Sequence, residues 1–366
     1  MKSVVSAALL SAIAVSAAPG LVLDVTGPSS AVDVDGLTVK TVLKNTGTES
    51  LKAPTDAFSI TSDSSSETPK FTGIKLKYVP ATTAAKGRDE DFTVLAPGQS
   101  VEIDHSLAGV YNFTSAGEGA YKFAAKNIFN YVDASGEVKT IEASSNSNQF
   151  KLAGKLATPS LNAKTRAARR ASKRAVSYSG CTSSQQTLVS AAATYSGCTS
   201  SQQTLVSAAA TASNTYVANA NTYLNGISSG TTRYTTWFGS YTASRLSTVR
   251  SHFTAIGTDA TSTTYDCTTC QNTSGIDYDS TYAYVYSDEP GTIYLCGVFW
   301  DAPVTGTDSR AGTIVHENSH FEVNGGTSDW TYGQTNAKSL ASSNPTRAID
   351  NADNHEYFAE NNPALS

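Results

Sequence analysis

Residues 312–333 read GTIVHENSHFEVNGGTSDWTYG, and their spacing decides what kind of fold surrounds them. On a helix, positions i and i+4 lie on one face, so His316 and His320 can hold one metal ion between them. Glu317 stands beside them, where a carboxylate can take a proton from a metal-bound water. Two imidazoles and one further protein ligand suit a catalytic Zn2+, which keeps its fourth position for water and lowers that water's pKa to about 7. Gly312-Thr313-Ile314-Val315 is apolar enough to bury the back of the helix. Asn324-Gly325-Gly326 then ends the helix and turns the chain back. Asp329, nine residues beyond His320, comes within reach of the metal. Glu322 and His355 compete for the third place. Glu322 is two residues past His320 and off the ligand face, and no spacing singles out His355.

The sequence on either side predicts a mainly helical body. Residues 199–225 carry apolar side chains at helical spacing. Residues 235–256 do the same, with Trp237, Phe238, Tyr241, Leu246, Val249 and Phe253 in one amphipathic helix. Residues 282–286, a turn at 288–291 and residues 292–295 read as a hairpin. Helices return over 309–361, broken at Gly325-Gly326 and at Pro345. Residues 19–155 differ. Short apolar segments such as 37–43, 75–79 and 100–103 alternate with turn residues, which predicts an antiparallel β-sandwich. His105 is the only histidine there, and no catalytic cluster is visible. The class is α+β.

The chain has 366 residues, 39% hydrophobic, with a net charge of -5. Those values exclude a wholly disordered protein and a nucleic-acid binder driven by bulk charge. The average conceals a division. Residues 1–174 carry 20 Lys+Arg against 16 Asp+Glu, whereas residues 175–366 carry 6 against 15. Fifteen lysines fall in the first part and one, Lys338, in the second. Met1-Lys2-Ser3, an apolar run from Val4 to Val15 and Ser16-Ala17-Ala18 predict a signal peptide over 1–18, hence secretion. That run is too short to span a bilayer, and no later segment predicts a membrane span. Residues 160–176, SLNAKTRAARRASKRAV, read as an exposed linker with a dibasic processing site at Lys173-Arg174. The expected products are a propeptide over 19–174 and an acidic mature part over 175–366. Residues 178–194 recur unchanged at 195–211, which doubles one cysteine into Cys181 and Cys198.

HENSH followed by GTSDWTYG resembles the aspzincin metallopeptidases, which include the fungal deuterolysins, with a pattern of HExxH plus GTxDxxYG. The resemblance implies that His316, His320 and Asp329 bind one zinc ion and that Glu317 is the general base and acid. It implies that Tyr332 donates a hydrogen bond to the oxyanion of the tetrahedral intermediate. It also implies a zincin-type domain with a small β-hairpin or sheet, following the β-sandwich-like propeptide. Over residues 194–366 the match is closer to one branch, and the chain resembles the fungal peptidyl-Lys metalloendopeptidases. Within that span lie Arg233-Tyr234-Thr235-Thr236-Trp237-Phe238-Gly239 and the tail NADNHEYF over 351–358. The branch implies that Asp353 and Glu356 recognise a substrate lysine, and that cleavage falls on its amino side. Two disulfides are implied, Cys198–Cys267 and Cys270–Cys296, with Cys181 left over.

The residues themselves favour the same pocket. Asp353 and Glu356 are at i and i+3, so on a helix they share a face that suits a compact ammonium. A secreted enzyme that cuts beside lysine would digest itself unless it lacked accessible lysine. General acidic adaptation would thin arginine too, yet each part has five. The expectation is a monomeric zymogen that takes lysine-containing protein or peptide substrates, with its own propeptide as inhibitor and no nucleic-acid or membrane partner. Two other readings are a deuterolysin-like protease of broader specificity and a secreted zinc-binding protein without activity.

Overall fold

The computed structural model describes residues 20–48, 51–53, 58–62, 67–86, 93–133, 135–158 and 193–366. The expected signal peptide, the dibasic linker, Cys181 and most of the first repeat copy lie outside the described residues. The described chain mixes helices and sheets, as the α+β expectation required. No described helix is long and apolar enough to cross a membrane.

Several strands of the N-terminal half bury alternate residues. In Leu21–Thr26 the inward set is Leu21, Leu23 and Val25. This strand pairs antiparallel with Thr38–Asn45, which pairs with Ser100–Ser106, and Ser144–Ser145 closes the other side. A second four-stranded sheet runs Ser30–Ala31, Ser147–Leu152, Gly119–Ala125, Phe58–Ser62. The two sheets share one core, in which Val25, Val39, Leu43, Tyr121, Phe123 and Phe150 meet.

The C-terminal half begins with Ser200–Gly226, capped at Thr199 by a reciprocal pair with Gln202. The second repeat copy supplies its first turns. Val206, Ala209, Ala210, Val217, Ala220 and Leu224 form its buried face. The single helix expected over 235–256 is two, Thr232–Phe238 and Ala243–Ile256. Gly239 separates them at φ 71°, and a Cβ there would come within 2.1 Å of Ala341 O. Both disulfides are present, Cys198–Cys267 and Cys270–Cys296.

One five-stranded sheet joins the halves, in the order Thr194–Ser196, Thr264–Asp266, Thr292–Leu295, Thr281–Tyr286, Ile74–Tyr78. The expected hairpin supplies its third and fourth strands, with Ala283 opposite Leu295. The fifth strand comes from the N-terminal half. It lies antiparallel to Thr281–Tyr286, with Lys77 opposite Ala283, Leu76 opposite Tyr284 and Lys75 opposite Val285.

Candidate active site

The motif helix spans Arg310–His320, and all eleven of its residues are buried. Ser309 caps its N-terminus by accepting from Gly312 N at 2.9 Å. Glu360 fixes that cap from the Ala352–Glu360 helix, accepting from Ser309 N at 2.9 Å and Ser309 Oγ at 2.7 Å. The motif helix ends at His320. Phe321 O accepts from Gly325 N and Gly326 N at 3.1 and 3.0 Å, and Gly326 takes φ 60°. The returning loop carries Asp329. Asn351 pins it, with Oδ1 accepting from Trp330 N at 2.7 Å and from Thr331 N at 3.2 Å.

These elements bring His316, His320 and Asp329 together. His316 Nε2, His320 Nε2 and Asp329 Oδ1 stand 3.2 Å apart in every pairing. Three ligands on a tetrahedral zinc, at bonds of about 2.0 Å, stand about 3.3 Å apart. Asp329 Oδ1 is buried and has no hydrogen-bond partner, which leaves it available to a cation. The residues present therefore fit a zinc ion. Each imidazole is oriented from its far side: His320 Nδ1 donates to Thr327 O at 2.8 Å, and His316 Nδ1 lies 2.8 Å from Asp353 Oδ1. Burial pulls His320 down to about 4, so its ring is neutral. Burial alone would raise Asp329, but the two histidines hold it well below the usual carboxylate range. Burial also pulls His316 down, yet Asp329, Asp353 and Glu356 hold it well above its ordinary value.

The other two candidates for third ligand go elsewhere. Glu322 pairs with Lys70 at 3.3 Å. His355 contacts Asn351 O and His252 Nδ1, each at 3.0 Å.

Glu317 is buried beside the ligand triangle, and burial pushes its carboxyl up to about 8. Its Oε1 accepts from the backbone N–H of Lys77 at 3.2 Å, and its Oε2 has no partner. Tyr332 OH donates to Leu76 O at 3.0 Å. Leu76 N donates to Asp329 Oδ2 at 3.3 Å. The strand Ile74–Tyr78 thus crosses directly over the site.

The Lys77 side chain runs inward and is 3% exposed. Its ammonium pairs with Glu356 Oε1 and lies 3.5 Å from Asp308 Oδ1. The Tyr282 ring centroid is 4.6 Å away. Burial opposes the charge, but Glu356, Asp353 and Asp308 hold the lysine well above its ordinary pKa. Asp353 and Glu356 share the tail helix, and both face His316 Nδ1, Asp353 Oδ1 at 2.8 Å and Glu356 Oε2 at 3.5 Å. Glu356 also touches the ammonium, whereas Asp353 Oδ2 accepts from Gly333 N at 2.6 Å. Sequence reasoning missed Lys77, Leu76, Asp308 and Tyr282. Lys77 stood in an expected strand, and an alternating strand carries no sign of which partner it will cover.

A family model of the aspzincins, described as lysine-specific metallo-endopeptidase, matches residues 223–360. A peptidyl-Lys metalloendopeptidase of Grifola frondosa is 46% identical over 384 aligned residues, covering 100% of both chains. One of Armillaria mellea is 46% identical over 98% of this chain and 96% of its own. A solved zinc peptidase from Grifola frondosa is 54% identical over 46% of this chain and 100% of its own, at a TM-score of 0.43.

Proposed function

Because the chain belongs to the aspzincin family and is a zinc metalloendopeptidase, we propose that it hydrolyses peptide bonds on the amino side of lysine. The observation that carries this reading is the burial of the Lys77 ammonium against Glu356 and Asp308, one residue from the ligand triangle. A fully enclosed cation needs opposite charge around it, and a pocket lined this way rejects apolar and acidic side chains.

Bound through His316, His320 and Asp329, a zinc ion would supply a Lewis acid and a readily ionised water. Glu317 takes the proton of the attacking water and delivers it to the leaving amine, a role that suits a carboxyl raised by burial. Tyr332 donates to the carbonyl oxygen as negative charge develops there. Glu356 and Asp308 hold the substrate ammonium. Asp353 fixes the His316 ring and adds its charge to the pocket.

The enzyme is secreted as a zymogen, with a signal peptide over 1–18, a β-sandwich-like propeptide over 19–174 and the mature domain over 175–366. The propeptide is its inhibitor, since Leu76 and Lys77 occupy the contacts that a substrate needs. Further polar contacts anchor it: Lys86 Nζ to Asp277 Oδ2 at 2.8 Å, Arg347 to Glu142 at 2.9 Å, and Lys75 Nζ to Thr327 O at 2.6 Å.

The test is cleavage profiling of a random peptide library by the mature domain, with and without Glu356→Gln. The parent should cut before lysine, and the variant should lose about 10–100-fold in kcat/KM on those peptides. An unchanged preference would sink the lysine pocket and favour a deuterolysin-like specificity. Zinc retention without any hydrolysis would favour a non-enzymatic protein.

A further inference from the structure

The strand over the site lies in the register of a substrate, not merely across it. We propose that Leu76–Lys77 is the bond this enzyme cuts first, in its own chain, and that this cut begins the release of its propeptide. The proposal rests on the lysine-directed reading above and names the bond on which it acts.

Three contacts converge on that one peptide. Its carbonyl oxygen receives the Tyr332 hydroxyl at 3.0 Å. Its N–H reaches Glu317 Oε1 at 3.2 Å, the carboxylate that must protonate a leaving amine. The side chain after the bond is the lysine enclosed by Glu356, Asp308 and Tyr282. The neighbouring lysine does not compete. Lys75 Nζ ends on the carbonyls of Gly326 and Thr327, at 3.0 and 2.6 Å, not on carboxylates. The pairing of the strand with Thr281–Tyr286 fixes this register, since a shift of one residue would turn Lys77 away from the pocket. Beside the strand opens a cleft of about 900 Å3 lined in part by Leu76, Asp329 and Tyr332.

The step is a simple hydrolysis. One water adds across the bond: its oxygen goes to the Leu76 carbonyl carbon, which becomes a carboxylate, and the C–N bond breaks. Glu317 relays a proton to the nitrogen, leaving Lys77 with a free α-amine. Two new termini then replace one continuous strand, and neither half retains all of the contacts.

The experiment uses the full chain, prepared without metal and then given zinc. In the metal-free chain, the Lys77 side chain should resist acetylation at least tenfold more than exposed Lys151. After zinc is added, intact mass and N-terminal sequencing should find a new terminus at Lys77. Its rate should be unchanged by tenfold dilution, because the strand is already in place. Glu317→Gln should keep Lys77 protected and leave the bond intact. Lys77→Gln should abolish the new terminus, and Glu317→Gln supplies the control if that variant folds poorly. A chain whose mature domain cleaves free lysyl peptides but leaves Leu76–Lys77 uncut overturns the proposal and spares the lysine reading. A cut that slows in proportion to dilution, or a Lys77 acetylated as fast as Lys151, also overturns it. A cut at Leu76–Lys77 without lysine preference on free peptides supports the proposal and overturns that reading.

Discussion

At the residue scale, carboxylates of similar sequence appearance have unlike surroundings. Glu356 meets the lysine ammonium directly, and Asp353 faces His316 Nδ1 at 2.8 Å. Their substitutions should therefore fail differently. Asp353→Asn should weaken zinc retention by about 10–100-fold, as loss of a histidine-orienting partner does, measured by competition with a chelator. Glu356 Oε2 lies 3.5 Å from the same nitrogen, so Glu356→Gln should weaken zinc retention less than Asp353→Asn and act mainly on kcat/KM for lysyl peptides. Asp308 is more exposed and at 3.5 Å, so Asp308→Asn should cost less than Glu356→Gln. Tyr332→Phe should lower kcat by about 10²–10³ with little change in KM, the pattern of a donor that acts on developing charge. His316, His320 and Glu317 were legible because HExxH sets their side chains through helix geometry. Spacing left Asp329 in competition with Glu322 and His355, and only the resemblance singled it out. Asp308 was not legible. It reaches the site through a left-handed turn at φ 52°, which no periodicity announces.

At the scale of elements, the site depends on how the tail helix meets the motif helix. The two meet closely at Gly312, where an added Cβ would lie 2.1 Å from Glu360 Oε1 and 3.0 Å from Glu356 Cγ. Gly312→Ala should push Glu356 off the ammonium and cost about 1–3 kcal/mol of stability, read together as a lower Tm and a raised KM for lysyl peptides. The tail helix and the hairpin were readable in sequence from their spacing and turn residues. The division of 235–256 was not, because the apolar spacing continues through Gly239 while the backbone does not. The proposed propeptide would have an element-scale docking signature too. Burial would raise Asp277, but hydrogen bonds from Lys86 and Ser280 outweigh it, and its pKa lies below the ordinary value. A lowered carboxylate favours the docked state above about pH 4 and loses that contribution as pH falls through the lowered value. A chain nicked in its linker should therefore release the propeptide more readily in acid. Asp277→Asn should weaken docking at neutral pH and flatten the pH dependence, both measurable by size exclusion.

At the scale of the molecule, the lysine division gains a physical form. Lys338 sits within the Gln334–Ser343 helix, its ammonium 5.0 Å from the Trp237 ring and 3.2 Å from Gln334 Oε1. A helical bond cannot lie along the site as Ile74–Tyr78 does, so the proposed mature domain should keep its mass on long incubation. The N-terminal half should fall to fragments that begin with lysine, and a chelator should stop the process. What the sequence could not disclose was the joining of the halves, since strand pairing across more than 200 residues of chain leaves no local trace. That pairing has one more consequence. Thr281–Tyr286 is buried at all six positions while its neighbour is present. Once the neighbour leaves, the strand becomes a bare edge, with open N–H and C=O groups ready for any extended chain. On the proposed release of the N-terminal half, the enzyme would be a sheet one strand short. Each polypeptide it digests should then complete that sheet for the length of a turnover, and a concentrated preparation without substrate should tend to pair with itself.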